Sequence, residues 1–317
     1  MKDGSLTRKV VKPIGLTLLS IVLCVAIVAA AAIGMSYMQN QAFKETFYEI
    51  TSSKVEDRLR IVQVSDLHAV QYDHLVSRVQ LLKPDLIVLT GDIVDLKTDD
   101  LTQTVATCSQ LAEIAPTYYI YGNHERARQF GSYLLKEDVE ALAAKYRDVE
   151  ATEVFRHVED PLREKMEAAG VHVLLNEQAT LQVGANTVDL FGVLTTSFEG
   201  FYGYAEDNFY QYAYQDDDHF KLMLVHEPFL VDLIQVEDWG DLILSGHTHG
   251  GVARLPFFGG LYEEFYGFLP EFLNNGKILG KYMVRDIPMI VSGGLSNKDI
   301  WRVNNQPELV IVDVTHY

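Results

Sequence analysis

Cys24 and Cys108 are the only two cysteines in this 317-residue chain. The first lies inside a long apolar stretch, so no disulfide within the chain can staple the part that follows. Such a chain is compatible with a bacterial exterior and does not require one. Leu23, in front of Cys24, is a poor match to the small residue that lipoprotein signals carry there, and Cys24 reads as membrane-embedded. Positive charge is also scarce, with 26 Lys and Arg against 44 Asp and Glu and a formal net charge of -18. Binding nucleic acid requires Lys and Arg to displace counterions from phosphates, and no basic block exists here, so a nucleic-acid partner is disfavoured. The chain also lacks internal repeats and low-complexity tracts.

Charge of either sign is absent from Ile14 to Met38, a run dominated by Leu, Ile, Val and Ala. At 1.5 Å per residue this run reaches roughly 37 Å, enough to cross a hydrocarbon layer of ~30 Å with some tilt. A buried core helix would not stay apolar on every face for this length. The rival reading is a cleaved signal peptide, with Ala29-Ala30-Ala31 as the small-residue site and a secreted product. Lys2, Arg8, Lys9 and Lys12 precede the run with only Asp3 against them, which keeps the N-terminus cytoplasmic and puts everything after Met38 outside. The expected organisation is a cytoplasmic segment at 1–13, a transmembrane helix at 14–38, a polar linker at 39–57 and one folded domain at 58–317.

Within that domain, short apolar runs alternate with amphipathic stretches. Residues 59–64, 86–89 and 118–121 read as strands, and His74 to Leu82 and Leu101 to Ile114 carry helical spacing. Later strands are expected at 171–175, 180–183, 187–193, 221–225, 241–244, 288–291 and 308–314. Strand and helix alternation implies parallel pairing, and the surplus of strands suggests two sheets face to face with helices outside. The charged stretch Arg126 to Asp160 and the aromatic stretch from Phe198 into Asp216-Asp217-Asp218 read as insertions.

Five polar segments each follow an apolar strand. They are Asp66-Leu67-His68, Gly91-Asp92-Ile93-Val94-Asp95, Gly122-Asn123-His124-Glu125, His226 and Gly246-His247-Thr248-His249. In open α/β folds that edge of the sheet is where ligands bind. If the first strand continues through Asp66 and His68, alternation places both side chains on one face, and His247 and His249 do the same across Thr248. Gly91, Gly122 and Gly246 precede candidate ligands where the backbone turns sharply or approaches an ion. Carboxylates, an amide oxygen and imidazoles form a mixed oxygen and nitrogen set suited to Mn, Fe or Zn.

The series D-x-H, GD-x-x-D, GNH-D/E, H and GH-x-H resembles the calcineurin-like metallophosphoesterase superfamily. Gly246 to Gly251 with Arg254-Leu255-Pro256, and the later Ser292-Gly293-Gly294-Leu295, are similar to a bacterial membrane-anchored branch of it. The resemblance implies an αββα sandwich: two sheets packed together and flanked by helices. It also implies two adjacent divalent ions. Asp66, His68 and His249 would hold the first, Asn123, His226 and His247 the second, and Asp92 would bridge both. His124 would face the substrate, with Asp95 orienting it through a hydrogen bond. Glu125 stands where many members carry Asp, outside the ligand set.

The activity so implied is hydrolysis of a phosphodiester, phosphomonoester or pyrophosphate by a hydroxide activated between the ions. The location adds a lipid-linked or envelope phosphate ester as substrate, with the membrane as a partner. Arg126 and Arg254, beside the motifs, are candidate phosphate contacts, and the apolar segment from Phe257 to Leu269 is placed to touch substrate. The alternatives are a nuclease or nucleotide phosphodiesterase of the same superfamily, and a surface protein that keeps the fold only for binding.

Overall fold

A computed structural model of the chain describes residues 4–130, 160–193, 217–233, 240–297 and 302–317. Most of the two expected insertions, at 131–159 and 198–216, lies outside the described residues.

Two six-stranded sheets carry the domain. The first runs β1 (Lys44–Thr51), β16 (Glu308–Thr315), β2 (Leu59–Val64), β3 (Leu86–Thr90), β4 (Thr117–Ile120) and β5 (His172–Val173). All neighbours in it are parallel except β16 with β2. The second runs β14 (Gly280–Val284), β15 (Ile287–Val291), β9 (Leu242–Ser245), β8 (Phe220–Leu224), β7 (Asn186–Gly192) and β6 (Glu177–Val183), with antiparallel hairpins at its two ends. Four two-residue strands, β10 (Arg254–Leu255) with β11 (Gly259–Gly260) and β12 (Tyr262–Glu263) with β13 (Gly267–Phe268), form small hairpins after the last motif.

Alternation along the strands builds the layers. Leu86 and Val88 join Leu59, Ile61, Leu190, Leu222 and Leu244 in the core between the sheets. Their neighbours Ile87 and Leu89 point the other way, against Leu75, Val79, Leu111 and Met166 of helices 75–82, 102–112 and 161–168. A strand buried on both faces reads as an unbroken apolar run, as Leu86–Thr90 does. On the outer face of the second sheet, Met223, Ile243 and Met289 pack under Phe229, Leu230 and Val231, with the short helix Leu230–Leu233 in that layer among the described residues. The sandwich is therefore αββα, its second helical layer represented among the described residues by Leu230–Leu233.

The stretch read as a linker, 39–57, contains β1, which pairs with β16 along all eight of its residues. Lys44, Glu45 and Glu49 disguise it as polar chain. An edge strand needs backbone partners on one side only and tolerates such charge. The edge strand β14 escaped the sequence reading for the same reason.

The N-terminal helix, α1, covers Gly4–Gln39 and contains one window, Leu19–Gln39, apolar enough to cross a membrane, with mean hydropathy 2.5. Its last turn is seated on the domain. Ser36 is buried, and its Oγ donates to the Arg302 carbonyl oxygen, which also accepts Asn40 Nδ2 at 2.7 Å.

Candidate metal centre

Asp66, Asp92, His226 and His247 each lie two residues beyond the end of a strand, and Asn123 lies three beyond. The strands β2, β3 and β4 belong to the first sheet and β8 and β9 to the second, so the site straddles their common edge. The pleat does not deliver the paired side chains, contrary to the sequence expectation. β2 ends at Val64, and Asp66 and His68 both take left-handed backbone, at φ 50° and 48°. Asp92, His247 and His249 do the same, so five of the seven expected ligands carry a conformation that costs non-glycine residues energy. Sharp loops braced by their neighbours bring them together. The Asp66 amide donates to the Gly91 carbonyl at 3.0 Å and the His68 amide to the Asp92 carbonyl at 2.9 Å. At Gly91, with φ 91°, any side chain would run into the His226 imidazole.

All seven expected ligands converge. Asp66, His68 and His249 form one group and Asp92, His226 and His247 another, the ligand atoms of each lying within 4.8 Å of one another. Asp92 Oδ2 sits between the groups, 3.7 Å from His68 Nε2 and 3.3 Å from His226 Nε2. Asn123 Oδ1 is 3.2 Å from His226 Nε2 and 3.1 Å from His247 Nδ1.

The donor chemistry fits divalent cations. His226 Nδ1 lies 2.8 Å from the Thr90 carbonyl oxygen and donates to it, which turns the Nε2 position toward Asp92 and Asn123. Burial lowers His68 to about 4 and His247 to about 3, and it pushes His249 down as well, so these imidazoles keep free lone pairs. His68 Nε2 and His249 Nε2 face each other at 3.2 Å, two nitrogens turned toward one point. Burial pushes Asp92 up, but His226, His124 and His68 together hold it well below the usual carboxylate range. Asp66 is raised to about 6, chiefly by burial.

His124 lies at the mouth of the site, its side chain 23% exposed where that of Asp92 is 2% exposed. Its amide donates to Asp92 Oδ1 at 2.8 Å, and its Nε2 is 4.0 Å from Asp92 Oδ2. The expected hydrogen bond from Asp95 is not made, since His124 Nδ1 and Asp95 Oδ1 are 3.7 Å apart. Asp95 Oδ1 instead accepts the Lys97 amide at 2.9 Å, which turns the carboxylate along its own loop, and the Leu96 N–H faces His124 Nδ1 at 3.4 Å.

The two candidate phosphate contacts have partners inside the fold. Arg254 donates to the Gly250 carbonyl at 3.0 Å and pairs with Glu271 at 3.0 Å. Arg126 is buried, donates to Gln129 Oε1, and is lowered to about 10 by burial.

Three contributors escaped the sequence reading. Glu125, treated as incidental, is buried and accepts the amides of Asp92 at 2.9 Å, Val94 at 3.0 Å and Gly122 at 2.8 Å, with the Tyr119 hydroxyl at 2.6 Å. Its place inside Gly122-Asn123-His124-Glu125 was the one available signal. Arg302 is fully buried, with Nη2 3.2 Å from His249 Nδ1 and further bonds to the Gly293 and Ser296 carbonyls. Phe229 lies 5.9 Å from the His247 ring and stacks on Phe265 at 4.2 Å, forming an apolar wall. Nothing in the local sequence marks Arg302 or Phe229.

Comparison with known proteins finds relatives of one kind. The family model described as calcineurin-like phosphoesterase matches residues 59–251. A bovine transmembrane protein with a metallophosphoesterase domain is 30% identical over 225 residues, which cover 65% of this chain and 45% of that one. The Bacillus subtilis metallophosphoesterase YkuE is 28% identical over 250 residues, 73% of each chain. The Escherichia coli phosphodiesterase YaeI is 27% identical over 179 residues, 56% of this chain and 53% of that one.

Proposed function

The chain belongs to the calcineurin-like phosphoesterase family, and from that premise we propose that it hydrolyses phosphodiesters at a two-metal centre held outside a membrane. Metal-dependent phosphoester hydrolysis is the family's chemistry. The assignment of roles to individual residues, the bond cleaved and the location are the proposal. Its main support is the Asp92 carboxylate lying between the His68 and His226 groups, as a residue shared by two ions must.

Asp66, His68 and His249 would hold one cation and Asn123, His226 and His247 the other, with Asp92 available to both, and Mn, Fe or Zn would fit the donors. When bound, such a pair supplies Lewis-acid stabilisation of phosphoryl oxygens and makes a water acidic enough to attack at neutral pH. The protein supplies the remaining steps. The Leu96 N–H opposite Nδ1 favours the neutral His124 tautomer with its proton on Nε2. That nitrogen faces the centre and donates to a phosphoryl or leaving oxygen. Asp95 Oδ1, 3.7 Å from Nδ1, flanks the ring without a direct hydrogen bond to it. The Phe229 and Phe265 wall keeps water from the His247 side.

The choice of phosphodiester follows the name of the Escherichia coli relative. The membrane location rests on the apolar window of α1 and on the name of the bovine relative. An outward domain follows from Lys2, Arg8, Lys9 and Lys12 before the apolar run. With β1 inside the first sheet, the organisation becomes a cytoplasmic segment at 1–13, a membrane helix at 14–38 and a domain whose sheet begins at Lys44. An anchored site makes a lipid-linked or envelope phosphate ester the natural substrate.

The test is turnover of aryl phosphodiesters and phosphomonoesters with Mn, Fe and Zn supplied separately, followed by lipid-linked phosphates. Metal-dependent diester cleavage is expected. Turnover of soluble nucleotides with none of any lipid-linked phosphate would remove the lipid-linked substrate and leave the metal centre standing.

A further inference from the structure

Residues 255–273 expose apolar surface to a degree found nowhere else in the described catalytic domain. Phe257 is fully exposed, and Leu255, Phe258, Phe268, Phe272 and Leu273 are each 40–59% exposed. The only exposed charge in the segment is Glu264. Glu263 is buried and accepts the amides of Phe265 and Tyr266 at 2.9 Å each, and Glu271 is paired with Arg254. Phe258 and Phe272 meet edge to face at 5.0 Å, so the turn after β10 and the helix Pro270–Asn274 form one knob. Contiguous apolar surface rimmed by polar groups marks an interaction site.

The course of the chain identifies the partner. Arg254, at the base of the knob, donates its amide to the Val303 carbonyl at 2.9 Å, and Ala253 bridges to Val303. The preceding carbonyl, that of Arg302, is the one that receives Ser36 and Asn40 at the end of α1. The apolar window of α1 closes at Gln39. Its 21 residues measure about 31 Å, the thickness of a hydrocarbon layer, so its last turn, Ser36 to Gln39, reaches the hydrocarbon boundary and Asn40 the headgroups. The base of the knob is hydrogen-bonded to the segment that receives this level of the helix, and Phe and Leu side chains bury into the boundary between headgroups and acyl chains.

We propose that the 255–273 knob is a bilayer-contact surface that inserts Phe257, Phe258, Phe272 and Leu273 into the leaflet from which α1 emerges. This rests on the anchored reading of α1. The same segment carries Phe265, which stacks on the Phe229 wall beside His247, so the knob links the metal centre to the lipid surface. A helix and an apolar knob together hold the domain in one orientation, as two membrane signals do where one alone leaves it free to tumble.

Spin labels on the full chain in lipid vesicles test this. One sample carries the label on native Cys24. Two others carry it at Phe257→Cys or at Gln182→Cys in a Cys24→Ser background, with Cys108 shielded by burial. The expectation is that labels at 24 and 257 collide with oxygen in preference to a water-soluble nickel chelate, while the label at 182 shows the reverse. A lipid-exposed label at 24 with a label at 257 as open to nickel as that at 182 overturns the knob and spares the anchor. That outcome would leave the surface to a protein partner. A label at 24 that is itself in water overturns the anchor and the knob together.

Discussion

Glu125 Oε2 accepts the backbone N–H of Asp92 at 2.9 Å, so the carboxylate that lies between the His68 and His226 groups is positioned by a second buried carboxylate. The same oxygen accepts the Gly122 amide at 2.8 Å, and the other takes the Val94 amide and the Tyr119 hydroxyl. One buried side chain thus fixes both the loop after β3 and the loop after β4.

Glu125→Gln puts an amide NH2 against these N–H donors. The chain should lose about 2–3 kcal/mol of stability, the cost of a buried donor without an acceptor. Metal affinity should fall roughly 10–100-fold, as for other groups that orient ligands. Tyr119→Phe removes a single hydrogen bond and should cost about 1 kcal/mol with the metal content intact. Thermal unfolding and metal analysis on the same samples check both variants.

Arg302→Leu removes the donor that holds the His249, Gly293 and Ser296 carbonyls, and so loosens the loop that carries His249. The Asp66, His68 and His249 group should weaken while the Asp92, His226 and His247 group keeps its ion. Metal stoichiometry should fall toward one per chain, and metal titration of the variant reads this directly.

Metal uptake should depend on pH with a definite sign. Asp66 is raised to about 6, and His226 is held well above its ordinary value despite its burial because Asp92 faces it. Both must lose a proton to act as ligands, so binding releases protons and affinity falls as pH drops through about 6. Calorimetric titration in buffers of different ionisation enthalpy measures the protons released. No release at pH 6 would contradict the assignment.

Removing the ions with a chelator should lower the unfolding temperature and abolish phosphodiester cleavage. Mn, Fe or Zn should restore both. Asp92→Asn and His247→Ala should abolish activity and lose metal, with no rescue by added ion. Activity assays paired with elemental analysis check this set.

The motifs were legible because each is local: a strand ends, and a polar residue stands two or three positions beyond it. Convergence of Asp66, Asp92, Asn123, His226 and His247 then follows from five strands ending at one edge. The residues that were missed act across long separations, as when Arg302 reaches His249 or Phe229 meets Phe265. The Asp95 to His124 hydrogen bond failed for a local reason, since Asp95 is turned back onto the Lys97 amide. Strand β1 was read as linker because Lys44, Glu45 and Glu49 on an edge look like polar chain. The pleat expected to align Asp66 with His68 is replaced by left-handed loops, which hydrophobic periodicity does not register.

The division between seven ligands and one substrate-facing histidine is tested most directly by His124→Ala, assayed for metal content and phosphodiester turnover together. Two ions per chain should remain while kcat falls about 10²–10⁴-fold, the usual loss on removing a general acid. Loss of both ions in this variant, or an unchanged kcat, would contradict the account.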